Sequence, residues 1–108
     1  MKAFLYLLLN LHVGIATNFS PTDKFNPNPE LYCRPGHDLN YTDLVVAHKH
    51  YPCGTKIFLY NPRNKRYSYA TVQDRGRLRV ATFDLSPAVT KALRANGMET
   101  IIYVPLEN

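Results

Sequence analysis

Tryptophan is absent from the 108 residues, and cysteine occurs only twice. Without tryptophan, any ring surface for a ligand must come from the eight tyrosines and five phenylalanines. The two cysteines, Cys33 and Cys53, are not in C-x-x-C spacing, so the usual zinc pattern is excluded. No familiar ligand spacing links His37, His48 and His50 either, so neither a metal nor another cofactor is expected. No internal repeat or low-complexity segment appears, and the length suits one domain. The longest apolar run lies at the N-terminus, but Asn10 and His12 interrupt it and it is short for a bilayer span.

That run, MKAFLYLLLNLHVGIA, has Lys2 ahead of the apolar residues and small residues at Gly14 and Ala16. This is the layout of a secretory signal peptide, expected over residues 1–16 with cleavage near Ala16. Membrane contact is expected only through this leader. Removing it leaves a formal charge of +4 from the full chain's +5. A small basic secreted domain suits an anionic partner, such as bacterial cell wall or an acidic polysaccharide. Nucleic acid is not expected, because no recognisable motif surrounds the basic turn residues Arg63, Lys65 and Arg66. In an oxidising compartment an even cysteine pair forms a disulfide more often than a metal site. A Cys33–Cys53 bridge would tie the N-terminal arm to the loop before the first strong strand.

Residues 17–43 are rich in Pro, Asn, Asp and Gly and read as an extended arm with turns. LVVAH (44–48) then reads as a short strand, and TKIFLYN (55–61) alternates, with Ile57 and Leu59 on one face. NPRNK is a hairpin connection, and YSYATVQ (67–73) returns as a strand with Ala70 and Val72 on one face. RVATF (79–83) is a further strand. SPAVTKALRANG carries Ser86 as N-cap, Pro87 at the first helical position and Asn96-Gly97 as the stop signal. ETIIYVPL closes the chain as a strand. Many short strands with tight turns predict a mainly β fold closed into a small barrel.

His48 ends LVVAH and Asp74 directly follows YSYATVQ, so neighbouring strands would bring imidazole and carboxylate to one rim, where each tunes the other. Asp74 equally suits a tight turn with Arg75 and Gly76, with His48 structural. Asp84 stands two residues before Ser86, where its charge favours the helix N-terminus. Tyr41 and Tyr51 flank His48 in turns and are candidates for stacking on sugar rings.

A47-H48-K-H-Y-P52-C-G54-T55, then D74-R75-G76, then D84-L85-S86 with a helix and a final apolar strand, resembles the RlpA-like (rare lipoprotein A) double-psi β-barrel family, related to expansin and barwin-like domains. The resemblance covers roughly residues 36–106 and places a single barrel domain at 36–108, after an arm at 17–35. It implies a six-stranded double-psi β-barrel with one or two short helices and a shallow glycan groove. It further implies lytic transglycosylation of peptidoglycan, with Asp74 as acid/base, His48 orienting it and Asp84 supporting. One acid/base can protonate the leaving oxygen and then deprotonate the attacking hydroxyl. Arg75, Arg79, Tyr41 and Tyr51 are the expected substrate-binding residues; Arg77 stands where the family carries proline. The alternative is a non-catalytic expansin-like or barwin-like module that binds or loosens wall polysaccharide. Either way a monomer is expected, secreted and periplasmic or wall-associated.

Overall fold

A computed structural model describes residues 5–6, 9–18, 30–40, 42–76 and 80–106. Its strands are β1 (His12–Asn18), β2 (Val45–Ala47), β3 (Lys56–Asn61), β4 (Arg66–Asp74), β5 (Phe83–Leu85) and β6 (Glu99–Pro105). One described helix, α1 (Pro87–Leu93), lies between β5 and β6. Alternation sets the long hairpin: Ile57 and Leu59 on β3 and Ala70 and Val72 on β4 are buried, while Tyr67 and Tyr69 are exposed. The six strands close in the order β1-β5-β2-β4-β3-β6. Pairing of β1 with β6 joins the two ends, and the β1–β5 and β2–β4 pairs are parallel. This is the double-psi β-barrel, mainly β with one described helix.

The barrel interior holds Ala16, Val46, Ile57, Leu59, Val72, Phe83, Leu85 and Ile101, with Val89 and Leu93 of α1 packed onto the same core. A small satellite cluster of Leu31, Leu39 and Val45 anchors the arm. Cys33 and Cys53 form the disulfide, with their Cα atoms 5.6 Å apart.

Three expectations change. The barrel begins at His12 and not at Gly36: β1 occupies residues expected to belong to a leader and an irregular arm. Ala16 is fully buried, and Gly14 sits where a Cβ would come within 2.5 Å of the Thr82 hydroxyl. A cut after Ala16 would remove five of the seven residues of β1 and leave β5 and β6 with unpaired edges. The strand expected over 79–83 is instead Phe83–Leu85, fixed by its pairing with β1 and β2, while residues 77–79 lie outside the described residues. The helix ends before Asn96-Gly97, at Arg94, whose backbone is left-handed at φ 46°.

The helix stops early because the β3–β4 turn caps it from outside. The Asn61 and Asn64 amides donate to the Leu93 carbonyl, and an Arg63 guanidinium N–H donates to the Arg94 carbonyl. These carbonyls would otherwise lack partners at a helix C-terminus. Glu99 holds the turn in turn: one carboxylate oxygen accepts from Arg63 at 2.7 and 2.9 Å and from fully buried Asn61 at 3.2 Å.

Hydrogen bonding from Arg63 keeps the Glu99 carboxyl below its ordinary value of 4.5, against the opposing effect of burial. The folded state therefore binds fewer protons than the unfolded one, so this contribution is present above the unfolded value and is lost as pH falls through the folded one. Glu99→Ala is expected to cost about 2 kcal/mol in denaturant unfolding, because Asn61 and Arg63 lose a charged acceptor. The wild-type advantage over the variant should shrink as the pH falls below about 4. Truncation provides a second check on the fold. A chain starting at residue 17 should lose its cooperative transition, whereas one starting at residue 12 should retain it.

Candidate functional site at the β2 rim

Strand β2 has three residues, all buried, and is paired on both sides. Ala47 is the register partner of Asp74 on β4 and of Asp84 on β5. Two inter-strand spacings thus separate the aspartate Cα atoms, roughly 10 Å. His48 follows Ala47, and its N–H donates to the Asp74 carbonyl at 3.1 Å. The three residues expected to carry chemistry meet at one end of β2. Irregularity in the β2–β4 register between Val46 and Ala47 is what brings Asp74, and not Gln73, opposite Ala47.

Within that cluster each of the three side chains has a definite partner. Nδ1 of His48 accepts from the backbone N–H groups of His50 and Tyr51, both at 3.0 Å. An accepting Nδ1 places the ring proton of the neutral imidazole on Nε2. The ring stacks on Tyr51 at 4.0 Å between centroids, with 13° between planes, and leans on Phe83 at 5.0 Å. Burial first, then the nearby charges of His50 and Arg75, hold this imidazole below its ordinary 6.5. Tyr51 is pushed the other way: burial foremost, then Tyr103 beside it, raise its phenol above 10.0. One face of Tyr51 is covered by His48, so that face is closed to a sugar ring.

Asp74 and Asp84 are held by the two N-terminal segments. Oδ1 of Asp74 accepts from the Tyr32 N–H, and Oδ1 of Asp84 accepts from the Thr17 hydroxyl, each at 3.0 Å. His48 and Asp74 therefore meet through the backbone, with Nδ1 of His48 and one carboxylate oxygen of Asp74 engaged elsewhere. The disulfide supplies the reason that Tyr32 reaches the rim. Cys33 donates its N–H to the Gln73 carbonyl at 2.9 Å, so the arm lies along the end of β4.

Arg75 ties these pieces together. Its guanidinium donates to the His48 carbonyl at 3.1 Å and lies 5.5 Å from the centre of the Tyr32 ring. Tyr32 is 66% exposed. Composition gave no sign of Tyr32 or Thr17; the only signal for Tyr32 was its position beside Cys33. Tyr41 and Arg79, expected at the site, lie outside the described residues. Among the described residues no three of His, Cys, Asp and Glu lie together as a metal-ligand group.

No family model and no curated protein sequence matches the chain. Among solved structures it is similar to cerato-platanin 3 from M. perniciosa, with a TM-score of 0.61 over 89% of this chain and 95% of that one. Sequence identity is 10%. The likeness is one of fold. It supports the barrel of the expected wider family, not the RlpA-like branch in particular.

The depressed His48 value gives a direct check. Protonating Nδ1 requires displacing two backbone N–H donors, and the unfolded state binds this proton more readily than the folded one. Stability from the turn is therefore present above 6.5 and is lost as pH falls from there through the folded value. In an NMR titration the His48 midpoint should fall below 6.5, with the 48–51 turn loosening as it protonates. A midpoint at or above that value would contradict the turn-capping role.

Proposed function

We propose that this protein is a non-catalytic, expansin-like wall module that binds cell-wall polysaccharide at the β2 rim. The observation that carries the reading is the engagement of the expected acid/base groups. The Nδ1 atom of His48 caps a turn, and Oδ1 atoms of Asp74 and Asp84 hold the Tyr32 backbone and the Thr17 hydroxyl. A general acid needs a proton to give and an open path to the glycosidic oxygen. Residues whose acceptors organise loops instead suit a binding surface. That surface is Tyr32 with Arg75, an exposed ring backed by a cation, which can stack on a sugar and attract an anionic group.

The quoted RlpA-like motifs and the barrel support a polysaccharide partner, although a fold alone does not specify chemistry. The disulfide supports an oxidising, extracellular location. Any processing of a leader must fall ahead of His12 to keep β1 whole. Lytic transglycosylation is the competing reading, drawn from the same motifs, and the Asp74 side chain separates the two.

Wild-type protein should co-sediment with insoluble cell-wall polysaccharide and release neither new reducing ends nor anhydro-muropeptides. Asp74→Asn keeps an oxygen for the Tyr32 N–H and should bind as wild type. Tyr32→Ala and Arg75→Ala should each weaken binding about tenfold. Anhydro-muropeptides that appear with wild type and vanish with Asp74→Asn would sink the binding-only reading in favour of the enzyme.

A further inference from the structure

Among the described residues, the largest exposed aromatic group outside the rim lies on the outer wall of the β3–β4 hairpin. Register pairs Lys56 with Thr71, Phe58 with Tyr69 and Tyr60 with Tyr67. The intervening Ile57, Leu59 and Ala70 belong to the core, so strand alternation turns these six side chains outward. Tyr67 and Tyr69 remain 62% and 55% exposed. Phe58 packs between them, with centroids 5.7 Å from Tyr67 and 5.5 Å from Tyr69, while the two tyrosines stand perpendicular at 87°. A groove of about 260 Å³ beside Tyr69 is lined by Leu44, Lys56, Ala70 and Thr71.

Tyr67 and Asp74 are seven residues apart on β4, roughly 24 Å at about 3.4 Å per residue, so the tyrosine end of this wall is remote from the rim. Core packing does not require the two exposed tyrosines, because the inward positions of both strands are already filled. They are the sort of rings that a ligand would use.

We infer that this wall is a second binding face, separate from the rim, for an acidic polysaccharide, with Tyr67 and Tyr69 against sugar rings and Lys56 meeting a carboxylate. Tyrosine offers an apolar ring face with a polar hydroxyl edge, matching a pyranose, whose faces are C–H and whose rim is hydroxyl. Charge selects the class of glycan. None of the six outward residues is acidic, exposed Lys56 lines the groove, and exposed Lys65 and Arg66 follow at the end of the hairpin. A second copy of the chain, itself at a formal charge of +5, would meet like charge. Single-stranded nucleic acid also uses rings and cations, but it needs a basic track along its backbone, whereas Lys56 and the Lys65–Arg66 pair stand at opposite ends of the hairpin with the rings between them.

The inference does not rest on the rim, and one set of variants separates the two faces. Affinity electrophoresis of the full chain through gels containing polygalacturonate measures the wall. Wild type should be retarded, and increasingly so at low salt. Tyr67→Ala combined with Tyr69→Ala should weaken retention about tenfold. Lys56→Gln should remove most of the salt dependence, and it serves as the test if the double variant fails to unfold cooperatively. The tyrosine pair should lose retention by the same factor in an Arg75→Ala background as in wild type, because the two faces act independently.

Four results would each overturn the second face. They are wild type that ignores polygalacturonate, tyrosine variants that bind it as wild type, tighter binding of a single-stranded oligonucleotide through the same tyrosines, and a concentration-dependent dimer lost in those variants. Loss of wall binding by Arg75→Ala alone bears on the rim and leaves this face standing.

Discussion

Hydrogen bonding of β1 to both β5 and β6 is the constraint on which the molecule depends. The pairing with β6 spans Ala16 to His12 against Glu99 to Tyr103, and the parallel pairing with β5 continues from Ala16 to Asn18. Without β1 the other five strands form an open sheet, with β5 and β6 as its edges. Closure satisfies those edges and completes the core around Ala16, Phe83 and Ile101. It also carries Thr17 to Asp84, so one side chain of the rim depends directly on the strand that shuts the barrel.

The rim brings a histidine and two aspartates to one end of a barrel, each with a hydrogen-bond partner of its own. Burial first, then neighbouring positive groups, hold His48 below its ordinary value, and its Nδ1 organises the turn through Tyr51. The nearby Asp74 orders the arm in the same manner. Both use their hydrogen-bonding capacity locally, one to shape the turn and the other to hold the arm. What remains outward is Tyr32 under Arg75, and farther along β4 the tyrosines of the hairpin wall. Two ring-bearing faces on one small basic barrel would let a single module contact more than one glycan strand.

Much of the hairpin and the start of α1 were legible in the chain. Alternation grouped Ile57 with Leu59 and Ala70 with Val72, the faces that the barrel turns inward, and Ser86-Pro87 marked where the helix begins. With only two cysteines the disulfide had one pairing available. The end of the helix was not legible, because its caps come from Asn61, Arg63 and Asn64, about thirty residues away. Nor was β1: an apolar stretch ending in small residues has the same local composition whether it leads export or pairs in a barrel. His48, Asp74 and Asp84 were recognisable as one set through the motifs, while their partners Tyr32 and Thr17 carried no local signal.

By itself the sequence determined which faces of β3 and β4 are apolar, where α1 starts and which sulfurs can join, since neighbouring residues and composition suffice for these. Only the tertiary structure decided that residues 12–18 close the barrel, that Ala47 sits between two aspartates and that His48 gives its lone pair to a turn. Strand partners and hydrogen-bond acceptors are chosen among groups far apart along the chain. Their selection depends on the geometry of the closed barrel, which no short stretch of residues encodes.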